Sequence, residues 1–66
     1  MDLQGMIRDR GLKQAWIAAQ IGLPEPLFSK IVRGMISLPS GKVRPLARIL
    51  RVPAAELERV IAGEDS

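Results

Sequence analysis

The chain has 66 residues, ten Lys or Arg against seven Asp or Glu, a net charge of +3, and no Cys, His or Tyr. A chain this short forms one domain with an economical core. It lacks the commonest general base, the thiol nucleophile and most zinc-ligand sets, so no enzyme, catalytic residue, metal site or cofactor is expected. The absence of Cys also removes any disulfide framework. No apolar run approaches the roughly 18 residues of a membrane span, and the start, Met1-Asp2-Leu3-Gln4, does not read as a signal peptide. The expectation is a cytoplasmic protein with neither a membrane partner nor a small-molecule ligand. Charge is unevenly spread: Lys30, Arg33, Lys42, Arg44, Arg48 and Arg51 lie between Glu25 and Glu56 with no acid among them, and the end carries Glu64 and Asp65. A basic middle fits either a polyanion contact or a solvated Arg-rich face.

Gly and Pro cut the chain into five short helical segments. The first covers about Asp2 to Arg10, with Asp2 as N-cap, Leu3, Met6, Ile7 and Arg10 on one face, and Gly11 as its stop. The second covers about Lys13 to Ile21 and stops at Gly22. The third covers about Pro24 to Val32; both Pro24 and Pro26 fit its first turn, where N–H groups have no helical partner, and Gly34 closes it. The fourth covers about Ser40 to Leu50, with Pro45 early enough to delay its start or bend its first turn. The fifth begins at Pro53 and reaches about Ala62, turning Leu57, Val60 and Ile61 inward, with Gly63 as its stop. Sustained alternation and hairpin signals are missing. The reading is all-α: one domain, residues 1–66, with a core of about 3–62 and a short acidic tail, 63–66.

The informative stretch is the second segment, a short turn, and the third. A Gly-containing turn of a few residues makes two helices cross steeply. Ala18 is small enough for the crossing, Gly22 permits the positive φ of the turn, and Leu23 plugs the gap between the helices. Trp16, the single Trp, is read as a half-buried packing residue rather than a DNA or partner contact.

Arg10-Gly11-Leu12-Lys13-Gln14, Ile17-Ala18, Ile21-Gly22-Leu23, Phe28-Ser29-Lys30-Ile31 and Arg33-Gly34 follow one another in an order and spacing that resembles the Cro/C1-type helix-turn-helix domain of phage repressors and Xre-like proteins. Pro39-Ser40, Leu46 to Val52 and Glu56-Leu57 continue the likeness, which runs over about residues 3 to 57 without a gap. The resemblance implies a lambda-repressor-like fold of five helices, double-stranded DNA as partner, and homodimerisation. It makes the third helix the recognition helix, with Glu25, Pro26, Ser29 and Lys30 as base-reading candidates. It places Gln14, Arg33, Ser40 and Lys42 against the DNA backbone. Lys13 stands where the family has a Ser or Thr cap; it cannot cap but can meet a phosphate.

Chemically, Lys30 can donate to guanine O6 or N7, Glu25 can accept from cytosine N4, and Pro26 or Leu27 can touch a thymine methyl. The bland alternatives are a helix-dipole partner for Glu25 and a solvated charge for Lys30. The Pro-Glu-Pro-Leu opening carries fewer hydrogen-bonding groups than the family's usual polar start. Ile7 and Val32 occupy positions where many relatives hold a buried ion pair, and both are expected to meet in the core. In the loop after Gly34, Leu38 is expected inward, with Met35 and Ile36 partly exposed. The short core and apolar last helix point to a dimer surface at Arg51, Val52, Pro53, Leu57 and Ile61.

The expected function is a small phage-, prophage- or plasmid-type transcriptional repressor binding an inverted repeat as a homodimer. The alternative is a protein-interaction module of the same fold, whose Pro-Glu-Pro-Leu tip and Met35–Leu38 loop hold a polymerase, a toxin or a phage factor.

Overall fold

A computed structural model describes residues 2–62. These form five α-helices: α1 (Leu3–Asp9), α2 (Gln14–Ile21), α3 (Glu25–Val32), α4 (Val43–Leu50) and α5 (Ala54–Ala62). No strand occurs among the described residues. The all-helical reading therefore holds. Gly63 and the acidic tail lie outside the described residues.

Local chemistry sets most helix limits. The Asp2 carboxylate accepts from the Gly5 N–H at 2.7 Å and caps α1, meeting one of the four donors that a helix start leaves open. Lys13 and Pro24 stand at the N-caps of α2 and α3 and supply no capping side chain. Ser40–Lys42 form a single turn of tighter 3₁₀ helix before α4, so the regular helix starts three residues later than Ser40, with Pro45 in its first turn.

Four helices end in one shared geometry. The residue past the helix is left-handed, and the next N–H reaches back five residues to a carbonyl: Leu12 to Ile7 at 3.3 Å, Leu23 to Ala18 at 2.9 Å, Met35 to Lys30 at 2.9 Å and Val52 to Ala47 at 3.1 Å. The left-handed residue is Gly11, Gly22, Gly34 and, at the end of α4, Arg51. No Gly marks that fourth stop, which the sequence reading left unassigned.

The core draws on every helix. Ile17, Phe28, Leu46, Leu50 and Leu57 are fully buried, each contributing about 1.5–3 kcal/mol of transfer free energy. Ala18, 1% exposed, provides the small surface that lets α2 and α3 pack together. α4 packs on α2 and on α5. Two side chains tie α4 across α2: Lys42 Nζ lies 3.5 Å from where a Cβ on Gly22 would stand, and Arg10 Nε donates to the Leu50 carbonyl at 2.7 Å. One tie sits at the C-terminus of α2 and the other at the turn before its N-terminus.

Ile7 and Val32 are both buried within one core cluster. Apolar side chains there avoid the desolvation cost of a buried ion pair. Leu38 is buried while Met35 and Ile36 are 63% and 40% exposed, as expected of that loop. Trp16 departs from its expected packing role. At 49% exposed it stands on the outer face of α2, because Ile17, Ala18 and Ile21 already form the buried face.

Candidate nucleic-acid interface

The junction between α2 and α3 is built from backbone requirements. Gly22 takes φ 73°, ψ 31°, a conformation costly for any residue with a Cβ. Leu23 follows and packs half-buried against the core. Pro24 is extended, at φ −61° and ψ 140°, and its carbonyl accepts from the Phe28 N–H at 3.0 Å to start α3. Glu25 is the first helical residue and Pro26 the second. With no capping side chain and no N–H on Pro26, the Glu25 and Leu27 N–H groups face the surface at the positive end of the helix dipole.

Among the base-reading candidates, Glu25, Pro26 and Lys30 are exposed and Ser29 is half-buried. Among the phosphate candidates, Lys13, Arg33 and Ser40 are exposed, and Gln14 and Lys42 are half-buried. Lys13, Gln14 and Glu25 come together on one shallow cleft, whose other walls include Gln4 and Arg8 of α1. The N-terminal ends of α2 and α3 thus open on the same side. Lys42 sits against the α2–α3 turn through its contact with Gly22. Arg33 lies apart: its Nε donates to the Ser29 carbonyl at 3.4 Å, and it borders a separate groove with Met35, Ile36 and Ile61. It stands eight residues past Glu25, or about 12 Å along the helix axis.

Gln4 and Arg8 were missed by sequence reasoning. Their i, i+4 spacing next to Ile7 puts them on one flank of α1, a signal visible in the chain. Which helix that flank meets is set only by packing.

The dimer candidates divide. Leu57 has no exposed surface; the monomer's own core takes it up, so it leaves the set. Its position on the apolar face of α5 pointed to burial without saying against what. Arg51 and Pro53 are exposed and Val52 half-buried at the α4–α5 corner. Ile61 stands at the other end of α5, about 12 Å from Pro53, so these residues form no single patch.

Two helices joined by a tight glycine turn, with the second presenting an uncapped, exposed start, make a helix-turn-helix. The profile of the helix-turn-helix domain family matches residues 5–60. The chain belongs to that family. No curated protein and no solved structure matches it. The matched span reaches from α1 into α5, so the helix-turn-helix domain accounts for the whole core. Among the described residues, no helix is long and apolar enough to cross a membrane.

Proposed function

We propose that this helix-turn-helix domain is a sequence-specific, double-stranded DNA-binding transcriptional regulator of Cro/C1 type, acting as a small repressor on an inverted repeat to which it binds as a homodimer. The observation that carries the reading is the shared opening of α2 and α3, where Lys13, Gln14 and Glu25 meet on one cleft. In this reading α3 enters the major groove by its first turns, with Glu25, Pro26, Ser29 and Lys30 toward base edges. Lys13, Gln14, Ser40 and Lys42 meet the phosphates beside it, and Arg33 meets them farther along. Only Glu25, Ser29 and Lys30 bring hydrogen-bonding side chains to the bases, so DNA shape carries part of the selectivity. Repression follows from occupancy of the operator.

The test is selection of bound duplexes from a random pool, followed by titration of the selected site at several salt concentrations. With about four to six phosphates neutralised per subunit, log K falls steeply with log salt, at about 0.9 per contact. Lys30→Ala relaxes preference at one base pair at a cost of about 1–3 kcal/mol. Arg33→Ala weakens all sequences alike and lowers the salt slope by about 0.9. Failure to retain any duplex at low salt, with tight capture of a protein instead, favours the interaction-module reading.

A further inference from the structure

A second concave surface lies at the opposite end of α3 from the proposed reading end. Leu3, Ile31, Val32, Val60 and Ile61 give it an apolar floor, and Met35 and Ile36 form one wall. Its volume is about 350 Å³; since a dry cavity of about 150 Å³ takes one benzene-sized group, it has room for two apolar side chains. The same surface therefore carries both a hollow and two exposed side chains of fitting size. It also carries one charge of each sign, Asp2 and Arg33. The Asp2 carboxylate caps α1 through one oxygen, and Arg33 is exposed.

We propose that this groove is where a second copy of the chain docks, across a two-fold axis, an inference that rests on the DNA-binding homodimer reading above. A two-fold contact uses one patch twice, so the patch must complement itself. Met35 and Ile36 of each copy enter the hollow of the other, and Asp2 of each copy faces Arg33 of the other. The groove shares no residue with the cleft holding Lys13, Gln14 and Glu25, so pairing leaves both reading ends uncovered. Eleven residues line it, fewer than the roughly 20–30 per side of a standard interface. Pairing is accordingly weak in free solution and is enforced when adjacent half-sites on one duplex hold two copies at millimolar effective concentration. Of the dimer candidates taken from the sequence, only Ile61 belongs to this surface.

The experiment follows the methyl signals of Leu3, Ile36 and Ile61 and the Trp16 indole signal by NMR as protein concentration rises, alone and on duplexes carrying one or two half-sites. The methyl signals shift with concentration and on the two-site duplex, and the indole does not. Met35→Glu puts a carboxylate into the hollow. It weakens both self-association and the two-site preference by roughly tenfold or more, while one-site affinity stays unchanged. Because Met35 is exposed, the variant keeps its fold, verified by its circular dichroism. Shifts centred on Trp16 or on the Arg51–Pro53 corner, or a Met35→Glu chain that pairs like wild type, overturn the proposal. A wild-type chain that binds no duplex removes the DNA reading while the concentration series still decides the pairing surface.

Discussion

Arg51 offers a sharp stability test, because it takes a conformation that the chain elsewhere gives to glycine. Its φ is 60° and ψ 44°, close to Gly11 at φ 68°, Gly22 at 73° and Gly34 at 78°. A Cβ in this region costs roughly 1–2 kcal/mol. Arg51→Gly relieves that cost. Against it stands the greater freedom glycine gives the unfolded chain, about 0.4–1 kcal/mol. The hydrogen bonds of the turn, from the Arg51 and Val52 N–H groups, are backbone bonds and survive the change. The net effect is stabilisation by about 0.5–1 kcal/mol. For a domain of this size each kcal/mol moves Tm by about 4–8 °C, so Tm rises by about 2–8 °C. Arg51→Ala is the control: it removes the guanidinium but keeps the Cβ, and stability changes by less than about 0.5 kcal/mol. Thermal and urea unfolding followed by circular dichroism at low protein concentration measures both. If Arg51→Gly is no more stable than Arg51→Ala, the strain argument fails. If both fall well below wild type, the arginine side chain holds the corner by contacts of its own.

Other outcomes follow from the same geometry. Asp2→Ala lowers stability by about 1 kcal/mol through loss of the α1 cap, and Asp2→Asn retains most of it, as urea midpoints will show. Arg10→Met removes the charge-assisted bond to the Leu50 carbonyl and costs about 1.5–3 kcal/mol; Arg10→Lys recovers little of it, because an ammonium does not reproduce the position of Nε. Leu57→Ala opens a cavity and costs about 2–5 kcal/mol. The loss should appear equally at micromolar and at higher protein concentration, whereas a dimer contact would show dependence on concentration. Gly22→Ala costs about 1–2 kcal/mol from its left-handed φ, with a Cβ in contact with Lys42 Nζ, and reduces duplex affinity by disturbing the α2–α3 turn.

The sequence by itself determined the helices and most of their ends. The cap at Asp2 and the stops at Gly11, Gly22 and Gly34 act over three to five residues, so they are written in consecutive letters. The order of apolar positions likewise placed Leu38 inward and left Met35 and Ile36 outward. Only the tertiary structure decided matters that depend on residues far apart in the chain. Arg51 is held left-handed without a glycine because the α4–α5 corner requires it. Arg10 meets a carbonyl forty positions away. Trp16 is exposed because α2 has one covered face and spends it on Ile17, Ala18 and Ile21. Leu57 and Ile61 look alike in the sequence, yet one is sealed in the core and the other borders the groove beside Met35. Periodicity tells which residues share a face; what covers that face is set by the packing of helices distant in sequence.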